Sequence, residues 1–160
     1  MDRSILSLKV SNEFGVLTRV TNLFGQRGFN IDSLAVGETE NPKFSRITIA
    51  THGDEAIIEQ IKLQLSKLED VKSVIEIPEE ELFIREVVLI KVQPSKEQEK
   101  AFIRTLEDFA GRCQLIVEGC YVVEITDTPA STNYFIDILQ EYNVSEISRT
   151  GGVALQLKFD

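Results

Sequence analysis

The chain has 160 residues, of which 42% are apolar, so it can build a packed core as one ordinary domain or two small ones. With 17 basic and 26 acidic side chains, its net charge of -9 argues against a nucleic-acid surface, which requires clustered Lys and Arg. Its apolar runs are far shorter than the roughly 20 residues that span a bilayer. The N-terminus lacks a signal-peptide pattern, and we expect a cytoplasmic protein with reduced thiols.

The first half of the chain shows strand and helix patterns in the order β-α-β-β-α-β. Alternating apolar and polar residues in RSILSLKV (3–10) predict a strand, and the apolar spacing from Val16 to Phe24 is that of one helix face. Gly28 is placed to end that helix in a left-handed conformation. The remaining predicted elements are a strand in 29–40, a strand in 43–53, a helix opened by Asp54 and a strand in 71–77.

The second half repeats this order after the acidic segment PEEEL. Its predicted elements are a strand in 85–93, a helix in 95–110 opened by Ser95, a hairpin around Gly119, a helix opened by Pro129 and a strand region in 144–159. The pattern predicts an α+β protein with two ferredoxin-like β-α-β-β-α-β domains in tandem. We expect the domains to be 1–77 and 85–160, with 78–84 as the linker.

The second strand of such a domain lies at a sheet edge. FNIDSLAV (29–36) is apolar, and an open apolar edge strand is prone to aggregation. A domain of roughly 75 residues also buries only about 60% of its unfolded surface and is marginally stable alone. We therefore expect the chain to form a dimer or larger assembly in which two copies cover this edge.

The stretch VSNEFGVLTRV (10–20) interrupts an apolar run just before the first predicted helix. If that helix begins near Gly15, its unpaired N–H groups and the positive end of its dipole can receive a carboxylate. Asn12 offers both a donor and an acceptor for a polar ligand group. An apolar wall could come from Val16, Leu17 and Ile31. This chemistry suits an α-amino acid with a small aliphatic side chain.

A plain strand-to-helix turn explains the same residues, since Asn and Gly are common in turns, and from the residues alone a turn after Gly28 is the better explanation of Asn30. Other polar features have structural explanations too. The run Glu79–Glu81 is expected to be a solvated linker rather than a metal site, and Arg149, near two glycines, a surface arginine rather than an anion contact.

No catalytic or metal-binding constellation is apparent. Cys113 and Cys120 are seven positions apart without a CxxC pattern, and His52 is the only histidine. His52 has no nucleophile motif near it, and Cys120 lies in an apolar, strand-rich segment without a basic neighbour. The sequence also lacks GxGxxG and Walker A motifs. We expect a chain that is not an enzyme.

The block SLKVSNEFGVLTRVTNLFGQRGFNIDSLAVGETENPKFSRITI (7–49) closely resembles the N-terminal ACT domain of the small regulatory subunit of acetolactate synthase (acetohydroxyacid synthase). The matching motifs are Asn-x-x-Gly-Val-Leu, Phe-x-x-Arg-Gly-Phe-Asn-Ile and Ser-Leu-x-Val. REVVLIKV and EISRTGGVAL, beyond the linker, also resemble that family. The chain departs from the family pattern at EDFAGRCQLIVEG and at the ending ALQLKFD, both in the second half.

The resemblance implies that two ACT domains pair side by side and bind valine between them. It places in that site Asn12, Gly15, Val16 and Leu17 of one subunit with Asn30 and Ile31 of its partner. The chain would then activate the catalytic large subunit and confer feedback inhibition by valine in branched-chain amino acid biosynthesis. Thiamine diphosphate, magnesium and FAD would belong to the large subunit, so this chain should hold no cofactor or metal.

Three other functions stay open at this point. A free-standing amino-acid-sensing ACT protein would bind an amino acid but act on a different target. An RNA-binding ferredoxin-like sheet is disfavoured by the charge of -9 and by the lack of an RNP1-like motif. A small acylphosphatase-like enzyme is disfavoured because no arginine-bearing phosphate cradle is evident, although the fold alone does not exclude it.

Overall fold

The computed structural model describes residues 2–109 and 112–158, which form two compact units. The first unit runs to Phe83 and also includes the chain from Gly152 onward, and the second unit is Ile84–Gly151. The terminal segment, expected from the sequence in the second domain, is thus grouped with the first unit. Ala154 in it is fully buried, and the Leu157 N–H donates to the carbonyl of Glu81 at 2.8 Å.

The first unit is a four-stranded antiparallel sheet with two helices. Its elements are β1 (Asp2–Ser11), α1 (Val16–Arg27), β2 (Ser33–Glu38), β3 (Phe44–Gly53), α2 (Glu55–Leu65) and β4 (Val71–Glu76). The strand order β2-β3-β1-β4 leaves β2 and β4 at the edges, as the topology predicts for the second strand. α2 begins where expected, because the Asp54 carboxylate accepts the Ile57 N–H at 2.8 Å.

The core of the first unit follows from the two periodicities of the sequence. Alternate residues of β1 and β3 point to the helix side, and every third or fourth residue of each helix points back. The buried set is Leu6, Leu8, Val10, Val16, Val20, Phe24, Ile47, Ile49, Ile58, Ile61 and Leu65. The predicted apolar face of α1 therefore does pack on the sheet, which fixes where the ends of α1 lie.

The second unit repeats the architecture. Its elements are β5 (Leu82–Val92), α3 (Glu99–Asp108), β6 (Arg112–Val117), β7 (Cys120–Asp127), α4 (Pro129–Leu139) and β8 (Val144–Arg149), in the sheet order β6-β7-β5-β8. The predicted hairpin is confirmed, with Gly119 at φ 75° between β6 and β7. The predicted α+β class with two β-α-β-β-α-β units is therefore confirmed.

Several element boundaries differ from the sequence prediction, and β2 is shorter than the predicted strand 29–40. α3 begins at Glu99 rather than Ser95, because the Ser95 hydroxyl accepts the Gln98 N–H at 3.3 Å and closes a separate turn first. The predicted last strand region is broken at Gly151, whose φ of 77° favours glycine. The chain resumes as β9 (Val153–Gln156), which belongs to the first unit, as do the first two residues of β5. Short 3-10 turns occupy Glu79–Glu81 and Gln140–Tyr142.

Candidate functional site

The junction between β1 and α1 is a tight loop built around Asn12 and Gly15. The Asn12 N–H donates to the carbonyl of Lys43 at 2.8 Å, which holds the end of β1 beside β3. Gly15 has φ 83° and immediately precedes the first helical residue, Val16. A Cβ on Gly15 would lie 3.1 Å from Nη1 of Arg19. The predicted helix start is confirmed, and its glycine is favoured by the positive φ.

The side chain of Asn12 contacts the end of β2 and the segment that joins β2 to β3. Its Nδ2 donates to the Pro42 carbonyl at 3.0 Å and to Oε1 of Glu38, the last residue of β2, at 3.2 Å. Both partners are acceptors, so the Asn12 amide must turn its nitrogen to them and its oxygen away. Asn12 is exposed, and that oxygen is available to a ligand.

The residues after Gly15 differ in how much of their side chains a ligand could contact. Val16 is 3% exposed and belongs to the core, so only its backbone can face a ligand. Leu17 is 39% exposed and can supply an apolar contact. Phe14, which the sequence prediction left out, is fully exposed beside them; its place in the loop before Gly15 was the only signal.

Arg19 also lies at this end of α1 and was missed by the sequence analysis. Its Nε donates to Oδ2 of Asp70 at 2.7 Å, and its Nη2 lies 2.5 Å from the same oxygen. The Ser11 N–H donates to the Asp70 carbonyl at 2.8 Å, so the pair ties α1 to the end of β1. Arg19 and Asp70 are 51 positions apart, so no local sequence pattern predicts their contact.

Asn30 and Ile31 follow the other end of α1. Gly28 ends the helix with φ 70°, as predicted, and the chain turns towards β2. Nδ2 of Asn30 donates to Oδ1 of Asp32 at 2.7 Å. Ile31 is half-buried and packs against the core, so it presents only part of its side chain.

The two sets of predicted site residues are therefore not brought together within one chain. α1 has 12 residues, which separates its ends by about 18 Å. The same two sets also mark the two ends of β2: Asp32 precedes its first residue, and Glu38, its last, contacts Asn12. Any site that uses both sets requires a second copy of the chain.

Two polar side chains outside this region, Arg149 and Tyr121, are paired within the second unit. Arg149, expected to be a surface arginine, pairs through Nη2 with Glu86, whose side chain is only 3% exposed, and donates from Nη1 to Asn133 at 2.8 Å. The hydroxyl of Tyr121 donates to Glu99, which raises the pKa of Tyr121 to about 12 and keeps it protonated. Within 2–109 and 112–158, no group of three or more His, Cys, Asp or Glu could hold a metal ion.

Among the described residues, no helix is both long enough and apolar enough to cross a bilayer.

Two family models match the chain and together cover most of it. Residues 6–73 match the small-subunit-like ACT domain of acetohydroxyacid synthase, and residues 85–158 match the small subunit of acetolactate synthase. The first match lies before Pro78 and the second lies after it.

Full-length relatives agree with both models. The chain is 39% identical to the acetolactate synthase small subunit of Buchnera aphidicola over 97% of this chain and 98% of the relative. It is also 39% identical to the isozyme 3 small subunit of Escherichia coli over 96% and 94%. The crystal structure of the Thermotoga maritima acetolactate synthase small subunit superposes with a TM-score of 0.90 at 37% identity, covering 100% of this chain and 99% of that one. The chain therefore belongs to the acetolactate synthase small-subunit family, whose members are regulatory rather than catalytic subunits.

Proposed function

We propose that this chain binds the catalytic large subunit of acetolactate synthase, raises its activity and confers feedback inhibition by valine, which binds between the first units of two copies. The thiamine diphosphate, magnesium and FAD expected for such an enzyme would then belong to the large subunit. The observation that supports this proposal best is the position of the two half-sites at opposite ends of β2.

β2 is an edge strand, and two copies can pair along it around a two-fold axis. Such a pairing is antiparallel within the sheet and isologous, so the start of one β2 lies beside the end of the other. The start of β2 carries Asn30 and Ile31 just before it, and its end contacts Asn12 through Glu38. Pairing of this kind would bring Asn30 of one copy close to Asn12 and Gly15 of its partner, at each of two equivalent sites.

The chemistry at each composite site suits a small aliphatic amino acid. The first N–H groups of α1 have no partners in their own helix, and in the described part of the chain only that of Val16 has a backbone acceptor outside it, the Glu13 carbonyl at 3.4 Å. The N–H groups that follow can receive the α-carboxylate, helped by the helix dipole. The Asn12 amide oxygen, turned away from Glu38 and Pro42, can accept from the α-ammonium group. Leu17, partly exposed beside Gly15, can contact a branched aliphatic side chain.

The test is calorimetric titration with valine, leucine, isoleucine, serine and lysine, using the wild type and Asn12→Ala. We expect saturable valine binding in the wild type and an affinity at least about tenfold lower in Asn12→Ala, because a hydrogen bond to a charged group is lost. The variant should keep its fold, since Asn12 is exposed and its hydrogen bonds contribute only about 1 kcal/mol to stability.

The matched control is Gln60→Ala, which removes another exposed amide side chain, on α2, and should leave valine binding unchanged. Binding of a different amino acid without valine would contradict the effector assignment. Unfolding of Asn12→Ala would instead support the interpretation of Asn12 as a turn residue.

A further inference from the structure

The only histidine of the chain pairs with a carboxylate next to the second half-site. Nδ1 of His52, on β3, donates to Oδ2 of Asp32, and Oδ1 of Asp32 accepts from Nδ2 of Asn30 at 2.7 Å. Each carboxylate oxygen is therefore occupied by one donor. The Asp32 side chain is 25% exposed, against 44% for His52, so the histidine lies on the solvent side of the pair.

The loop that carries Asn30 and Asp32 is anchored to three consecutive residues of β3. The Asp32 N–H donates to the Ala50 carbonyl at 2.9 Å, and the hydroxyl of the fully buried Thr51 donates to the Asn30 carbonyl at 2.6 Å. His52 supplies the third contact through the Asp32 carboxylate. These bonds hold the backbone and the carboxylate in place, so the orientation of the Asn30 amide depends on Asp32 and not on loop mobility.

The carboxylate decides which end of the Asn30 amide faces outward. An ionised carboxylate only accepts hydrogen bonds, so Asn30 must direct its NH2 group to Asp32 and its oxygen the other way. The same argument applies to Asn12, whose NH2 group is directed to two acceptors. Both candidate asparagines thus present an acceptor oxygen, although a free asparagine could rotate to present a donor.

We propose that Asp32 and His52 are positioning residues that hold the Asn30 oxygen towards the effector and make the site select ligands with an α-ammonium group. This inference rests on the proposed function, because it requires Asn30 to face the ligand. An ammonium group donates to the fixed oxygens. A carboxylic acid of the same shape without the ammonium group leaves those oxygens desolvated and unpaired.

The test compares valine with isovalerate, which has the same branched skeleton and carboxylate but no ammonium group. We expect the wild type to bind valine at least about tenfold more tightly than isovalerate. In Asp32→Ala the Asn30 amide is free to rotate, and this preference should fall about threefold to tenfold. His52→Ala should lower the preference in the same direction, and His52→Gln, whose amide can still donate to Asp32, should restore it.

The control is Lys62→Gln, which alters a different ion pair of the same unit, between Lys62 and Glu59 on α2, and should keep the wild-type preference. Thermal melting of each variant reports whether it folds. An unchanged preference in Asp32→Ala, or an equal loss of affinity for both ligands, would overturn the positioning role and leave valine binding itself intact. A wild type that binds none of the amino acids would overturn both this inference and the proposed function.

Discussion

Glu86 places a carboxylate among the buried residues of the second unit, with 3% of its side chain exposed. Arg149 neutralises it, and the hydroxyl of the fully buried Thr132 donates to the same oxygen. Burying a carboxylate is costly unless it is both paired and hydrogen-bonded, and here it is both. The arginine therefore holds together β5, α4 and β8.

Removing Arg149 should leave Glu86 buried without its counter-charge. We expect Arg149→Ala to lower the free energy of unfolding by roughly 2–3 kcal/mol, below the value for a fully buried pair because Arg149 keeps contact with solvent. Urea unfolding measures the loss. Lys91→Met, which removes one member of the exposed Lys91–Glu146 pair on the same sheet, is the control and should change stability little. Equal stability of the two variants would contradict the structural role of Arg149.

At the residue scale, local chemistry was predictable and long-range pairing was not. The left-handed conformation of Gly28 and the Asp54 cap depend on neighbours within a few positions, and the sequence predicts both. The Arg149–Glu86 pair joins residues 63 positions apart, and Asn12 meets Glu38 across 26 positions. Such contacts depend on which strands become neighbours, which periodicity alone does not specify.

Among the elements, β2 matters most to the proposed function. It is an edge strand of six residues, and Val36 on it is 49% exposed. An exposed apolar edge is a template for pairing with another chain, and a lysine on an edge strand opposes such pairing. The edge is therefore where a second copy is expected to complete the site.

Val36→Lys should weaken dimerisation and valine binding together, because the charged side chain opposes edge pairing and each site needs both copies. Sedimentation velocity measures the dimer fraction, and calorimetry measures the affinity. Leu63→Lys makes the same kind of change at a 62% exposed position on α2 and should affect neither. A Val36→Lys variant that remains dimeric would show that the copies meet elsewhere.

The elements themselves were largely predictable from periodicity. Strong amphipathic patterns in α1 and α4 and the hairpin at Gly119 appear where the sequence indicates them. The predicted start of α3 at Ser95 was wrong. A hydroxyl that can cap a helix can also close an isolated turn, as the Ser95 hydroxyl does by accepting the Gln98 N–H.

For the molecule as a whole, the proposed site is incomplete in one chain. The six predicted residues lie at opposite ends of α1, which agrees with the expectation from the family resemblance that they come from two copies of the chain. A ligand that binds across two copies favours one arrangement of the dimer, and by reciprocity that arrangement favours the ligand. Under the proposed function, such coupling would transmit the valine concentration to the catalytic subunit.

The most direct test of this account is the rate of acetolactate formation by the catalytic large subunit, measured with and without this chain and then with added valine. We predict that the chain raises the rate and that valine reverses the increase in the wild type but much less in Asn12→Ala, with Gln60→Ala behaving as the wild type. A catalytic subunit whose rate is the same with and without the chain would contradict the account.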